Sequence, residues 1–183
     1  MMISGKRFNI YLLVALAATM TCGCQSTAEK QAKQALSTLH LHLESGSDRT
    51  KTTESIPVYR EKPIWVNVQK APFLSEANVT AASVVDEVGG HSLRIQFDDD
   101  GKVLLEECTT RNRGRRIAIF SQFAPLMKEY RWLSAPIINH RISDGVLVFT
   151  PDATREEAQE IADGLNNVVK KTHTWIDKPW GEK

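Results

Sequence analysis

Residues 134–165 read SAPIINHRISDGVLVFTPDATREEAQEIADGL, and the reading of this stretch decides the fold. Its second half opens a helix. Thr154 and Glu157 stand at capping-box spacing, where the hydroxyl accepts from an orphan backbone N–H and the carboxylate reaches back to the cap. Glu156 and Glu157 also put negative charge at the positive end of the helix dipole. Ala158, Ile161, Ala162, Leu165, Val168 and Val169 then recur at helical spacing on one side. Arg155, Gln159, Glu160, Asp163 and Lys170 fall mostly on the other, and such a mixed run of acids and bases reads as a solvated face. The first half predicts a hairpin. Gly145-Val-Leu-Val-Phe149 is a short apolar run rich in β-branched residues, with Val146 and Val148 assigned to the core. Ser143-Asp144-Gly145 supplies turn chemistry back to a strand from Pro136 to Ile142.

Working outward, Ser92–Phe97 alternates cleanly, with Leu93, Ile95 and Phe97 inward. Val79 to Val88 is a second strand, joined to it through Gly89-Gly90. Asp98-Asp99-Asp100 has a calcium-site look, but the glycine and glutamate spacing of a calcium loop is missing. The triplet instead caps a helix from Gly101 to Thr110. Leu104, Leu105 and Cys108 share a face of that helix, so Cys108 reads as a buried structural thiol rather than a nucleophile. Arg111, Arg113, Arg115 and Arg116 surround Gly114 at the helix end. They suit a C-terminal cap and solvated loop, with phosphate or lipid head groups as the alternative. Leu105, Ile117, Ile119, Ile161 and Leu165 complete the expected core. Between Phe120 and Ser134, the residues Phe123, Leu126, Met127 and Tyr130 recur at i, i+3, i+4 and i+7, which predicts a short helix. Met127, Tyr130 and Trp132 are its candidate interface residues.

The chain has 183 residues, 42% of them apolar, and a formal charge of +1. That is enough for one domain with extras, and the balance argues against a nucleic-acid binder. Lys6 and Arg7 precede an apolar run from Ile10 to Met20 that is short for a membrane span. Thr21-Cys22-Gly23-Cys24 follows. This resembles the bacterial lipoprotein box, although Thr21 stands where Leu is usual and Cys22 fills the small-residue slot. The resemblance implies residues 1–23 as a signal peptide and Cys24 as the lipidated residue; an ordinary secretory signal is the alternative. Removing two bases and no acid from +1 leaves −1. Cys108 is then the one cysteine with no assigned fate, so no internal disulfide is expected. Gln25 rather than Asp after the cysteine points to the outer membrane, by resemblance to enterobacterial sorting.

Ala28, Ala32, Ala35, Leu36, Leu39 and Leu43 trace a helical stripe, so residues 24–46 are expected to form a lipidated tether and an amphipathic helix. His40 and His42 would face different ways on it and make a poor metal pair. Residues 47–62 read as a polar linker, residues 63–172 as the folded domain with a strand at Ile64–Val68, and residues 173–183 as a tail.

Five short motifs occur in order over about half the chain: Thr109-x-x-Asn112-x-Gly114, Ile117-Ala118-Ile119, Ser134-Ala135-Pro136, Ile142-x-x-Gly145 and Glu156-Glu157-Ala158. Together they resemble the head part of the first periplasmic domain of SecD, the protein-export subunit. Two departures stand out. Phe149-Thr150 is separated from Glu156-Glu157 by extra residues, and the segment from Phe120 to Ser134 is longer. SecD's membrane helices and their intramembrane acid are not found, so coupling to a proton gradient is not expected. The resemblance implies an α+β, ferredoxin-like layered fold: a mainly antiparallel sheet with two helices packed on one face, plus the N-terminal helix.

The functional expectation is a non-catalytic, lipid-anchored module of the bacterial envelope, facing the periplasm. It would bind an export-machinery component or an exported polypeptide. A structural or stress-related envelope lipoprotein without an export role is the alternative. A small envelope enzyme ranks below both, since no Gly-x-Ser-x-Gly, His-Glu-x-x-His, Cys-x-x-Cys or phosphate loop occurs. His91 and His140 read as structural. No cofactor and no metal are expected.

Overall fold

The computed structural model describes residues 35–46, 52–123 and 127–176, all within the compact unit Gln31–Lys183. The elements follow in the order β1 (His40–Leu43), β2 (Thr53–Val58), β3 (Ile64–Gln69), β4 (Leu74–Ser75), β5 (Val79–Glu87), β6 (Gly90–Phe97), α1 (Asp99–Arg111), β7 (Ile117–Phe123), β8 (Glu129–Ser134), β9 (Val146–Phe149) and α2 (Arg155–Ile176). Every strand pair is antiparallel. The strands form three sheets: β4-β1-β7-β8, β5-β6-β9, and the ribbon β2-β3. The architecture is thus the α+β, mainly antiparallel one with two helices that the sequence implied, with its strands divided among three sheets.

The local rules explain both helices. In α2 the Glu157 N–H donates to Thr154 Oγ1 at 3.2 Å, and the Thr154 N–H donates to Glu157 Oε2 at 2.8 Å, which completes the capping box. Its stripe Ala158, Ile161, Ala162 and Leu165 is fully buried. In α1 the Asp98 side chain accepts from the Gly101 N–H at 2.7 Å, with Asp99 and Asp100 in the first turn, so the acidic triplet is a cap. Asn112 closes the other end, its Nδ2 donating to the Cys108 carbonyl at 2.9 Å. Gly114, at φ +82°, turns the chain so that its N–H reaches the Ile138 carbonyl at 3.0 Å. The buried Thr109 hydroxyl accepts from the Ile142 N–H at 3.0 Å. The Thr-x-x-Asn-x-Gly motif is therefore a joint between α1 and the segment after β8.

Two cores result. The larger gathers Leu41, Leu93, Ile95, Leu105, Ile119 and Leu165 with their neighbours, between the two larger sheets and the helices. Burying each such side chain contributes about 1.5–3 kcal/mol. The smaller packs Ile56, Val58, Val66 and Val68 of the ribbon against Ala118 and Ala135. The ribbon therefore covers the face of the four-stranded sheet that points away from the larger core.

Several expectations are corrected. The helix expected to run to Leu43 is not formed over the described residues 35–43: residues 35–39 are irregular and His40–Leu43 is β1, an inner strand paired with both β4 and β7. Leu39-His-Leu-His-Leu43 alternates with period two, and burying Leu39 and Leu41 while both flanks gain ladder bonds outweighs the helical stripe. The rest of the span expected as a helix, with Cys24, lies outside the described residues. The linker read over 47–62 contains β2, whose Ile56 and Val58 alternate into the second core. Pro136–Ile142 is not a strand; it makes one isolated bridge, Ile137 to Arg116. The helix expected between Phe120 and Ser134 is instead the β7–β8 pair, because cross-strand partners decide such an ambiguous apolar run; residues 124–126 lie outside the description. In β9, Leu147 and Phe149 are buried while Val148 is 48% exposed and Val146 half-buried, the reverse of the expected facing. One residue of register exchanges the faces.

Segment 35–39 crosses α2 closely. A Cβ at Gly164 would overlap Ser37 Oγ and lie 2.8 Å from the Ser37 nitrogen and 2.9 Å from the Leu36 carbonyl carbon. Here glycine serves close backbone approach inside a helix. Asn167 Nδ2 donates to the Ala35 carbonyl at 3.0 Å beside it.

Candidate interaction surface

Strand alternation puts His40 and His42 of β1 on the ribbon side of the four-stranded sheet, where β7 contributes Phe120 and β8 contributes Trp132. The rings form a connected set. His40 lies 6.1 Å from Phe120, Phe120 5.2 Å from Trp132, and Trp132 5.1 Å from His42, between centroids. The ribbon covers one end. His42 is 7% exposed and its Nδ1 lies 2.8 Å from the Gln69 carbonyl, hydrogen-bond distance for a protonated Nδ1. Burial, first of all, pushes its pKa down. The other end is open. His40 keeps 36% of its side chain exposed and lies 3.6 Å from Glu76. Tyr130, two residues before Trp132 and paired with Gln122, is 72% exposed. The result is an aromatic row closed by β2-β3 at His42 and open at His40, with Tyr130 exposed on the same face of the sheet.

The three residues singled out from sequence are thereby separated in role. Tyr130 stands exposed on the face that carries the row. Trp132 packs against the second core and is not an exposed anchor. Met127 is half-buried, with φ +53°, and its carbonyl accepts from Gln122 Nε2 at 2.7 Å. His40 and Phe120 belong to the row but were passed over, although the alternation of residues 39–43 could have revealed His40. Trp65, 70% exposed on the outer face of the ribbon, was also passed over.

An ion-pair network closes the side near the start of α2. Arg131 donates to both Glu157 carboxylate oxygens, at 2.9 and 3.1 Å, and to the Asp152 carbonyl at 3.1 Å. Its guanidinium also lies over the Phe123 ring. The bond from Arg131 holds the Glu157 carboxyl below the usual range. Arg60, at the ribbon tip, reaches Asp152. Strand β8, α2 and the ribbon are thus pinned together by charge-assisted bonds.

No catalytic arrangement emerges among the described residues. The Cys108 thiol is half-buried, and burial pushes its pKa up to about 11, so it is a poor nucleophile at neutral pH. Among the described residues no cluster of three metal-ligating side chains occurs, and none of the described helices is long and apolar enough to cross a membrane. His91 is half-buried and His140 exposed. In the basic loop, Arg111 pairs with Glu107, and the Arg116 guanidinium donates to the Ala135 carbonyl. Arg113 and Arg115 face solvent.

Comparison with known proteins agrees with this fold. The family described as SecDF, P1 head subdomain, matches residues 50–167. The protein translocase subunit SecD of Rickettsia prowazekii (strain Madrid E) is 32% identical over 99 residues, covering 54% of this chain and 18% of that protein. The chain therefore spans less than a fifth of that relative's length. A solved structure of a membrane component SecDF that enhances protein export superposes with a TM-score of 0.54 at 21% identity, covering 80% of this chain and 70% of that one. SecDF in a super-membrane-facing form gives 0.52 at 21% identity, covering 78% and 21%. At such identity the likeness is one of fold. The inner strand β1 lies before the matched family span.

Proposed function

The chain belongs to the SecDF P1 head subdomain family, and from that premise we propose that it is a non-catalytic module of the bacterial envelope that binds polypeptide. Its partner is an export-machinery component or an exported chain. Lipidated Cys24 holds it to a membrane on the periplasmic side, and Gln25 directs it to the outer membrane.

The observation that carries the reading is the open aromatic row, with His40 stacked on Phe120 and Tyr130, paired with Gln122, 72% exposed on the same face of the sheet. Exposed aromatic side chains on fixed backbone supply contact area at low entropic cost, which suits protein recognition better than chemistry.

The test is in-cell crosslinking from a photoreactive residue at position 130, with position 113, in the loop between α1 and β7, as control. Polypeptide adducts from 130 and none from 113 are expected. No adduct from 130 removes the reading. Cys24→Ser tests the anchor separately: loss from the membrane fraction is expected, and unchanged partition refutes lipidation there.

A further inference from the structure

Strand β5 is the outer strand of the sheet β5-β6-β9, and its free edge is only partly occupied. In an antiparallel edge strand, alternate residues point both backbone groups away from their partner. Ala82 does so, and its groups are taken by a side chain: its N–H donates to Asn166 Oδ1 at 2.9 Å, and Asn166 Nδ2 donates to its carbonyl at 2.8 Å. The carboxamide of Asn166 thus makes the two bonds that a peptide group of an added strand would make. By the same alternation Val84 and Asp86 point outward, and among the described residues nothing bonds their backbone N–H or C=O groups. Val85, Asp86 and Glu87 are exposed, and Val84 is half-buried. Helix α2 runs alongside, with Arg155 paired to Asp86 at 2.9 Å at one end and Asn166 at the other.

We infer that the Val84–Glu87 edge of β5 receives an extended polypeptide as an added strand, laid beside α2 and ended by Asn166. This rests on the polypeptide-binding reading and names how the chain is held. Two outward residues offer up to four backbone bonds, enough for a segment of about three to five residues. The occupant's chemistry follows from the edge itself: Arg155 neutralises Asp86, which leaves the exposed Glu87 as the unbalanced charge on the strand, so a neutral or basic segment is favoured over an acidic one. Recognition through main-chain groups ignores side-chain sequence, as a binder of unfolded chains requires.

Proline supplies the test, because it removes an N–H that takes no part in the β5–β6 ladder and is tolerated at a strand edge. The probe is a fluorescent ten-residue Thr/Val peptide with lysine flanks, read by anisotropy against the full chain. Asp86→Pro is expected to weaken binding roughly tenfold, and Asp86→Ala, which keeps the N–H but loses the Arg155 pair, by less than about twofold. Alternate backbone N-methylation of the peptide should weaken binding to the wild-type protein similarly, which keeps the test valid should the proline variant unfold. Slowed exchange of the Val84 and Asp86 amides on binding is the direct readout. Binding unchanged by Asp86→Pro and by N-methylation overturns the edge while leaving the polypeptide-binding reading standing. A wild-type protein that binds neither this peptide nor a reduced, carboxymethylated unfolded chain overturns both. A concentration-dependent dimer abolished by Asp86→Pro, without peptide binding, assigns the edge to a second copy and overturns the proposal.

Discussion

Gly164→Ala is the perturbation whose sign is most at odds with local propensity. Inside an exposed helix, glycine to alanine stabilises by about 1 kcal/mol. Here the new Cβ would overlap Ser37 Oγ and press on backbone, 2.8 Å from Ser37 N and 2.9 Å from Leu36 C, where ordinary contact begins near 3.4 Å. The hydroxyl can rotate; the backbone cannot. Segment 35–39 is fixed by the Thr38 N–H donating to the Gln122 carbonyl at 2.9 Å and by Ser121 Oγ donating to the Thr38 carbonyl at 2.8 Å. Either α2 or the segment leading into β1 must therefore move by about half an ångström. Overpacking of this kind costs about 1–3 kcal/mol, and backbone contact puts it near the upper end. Net of propensity, the variant should lose about 2 kcal/mol. For a domain of this size that lowers Tm by about 4–8 °C. Thermal unfolding by circular dichroism, with urea titration to check that m is unchanged, measures it. Adding Ser37→Ala should restore only part of the loss, since the backbone atoms stay. A Tm equal to or above wild type for Gly164→Ala would refute the crossing of α2 by this segment.

Glu157→Gln should cost about 1–3 kcal/mol in urea unfolding, because Arg131 loses its charged partner. The Glu157 pKa is lowered, so its contribution is complete above about 4.5 and disappears as pH falls through the folded value; the variant's stability should lack that acid limb. The folded state also holds His42 with a pKa below 6.5, so between that value and 6.5 the unfolded chain binds more protons. Stability should fall as pH drops below 6.5, and His42→Gln should flatten that part of a Tm-against-pH curve. Leu147→Ala should cost about 2–5 kcal/mol and Val148→Ala under about 0.5, in chemical denaturation; equal losses would contradict the facing of β9.

What the sequence by itself determined was local chemistry and its order. Thr154 with Glu157, and Asp98 ahead of Gly101, are hydrogen-bonding instructions spanning three residues, so α2 starts where it was expected and α1 is capped by the acidic triplet as read, beginning at Asp99, two residues before the expected Gly101. Leu93, Ile95 and Phe97 alternate without a competing period, and they face the core as read. The five motifs carried the family resemblance because each is such a local device. Tertiary structure decided the elements whose local signal was divided. Leu36, Leu39 and Leu43 suit a helix and Leu39, Leu41 and Leu43 a strand; pairing with β4 and β7 settled it. Met127, Tyr130 and Trp132 suited one helix face, yet pairing with β7 exposed the tyrosine and drew the tryptophan under the ribbon. The edge of β5, closed at Ala82 by Asn166 and open at Val84 and Asp86, joins residues 84 apart in the chain. No periodicity encodes that distance; only the packing of α2 along β5 brings them together.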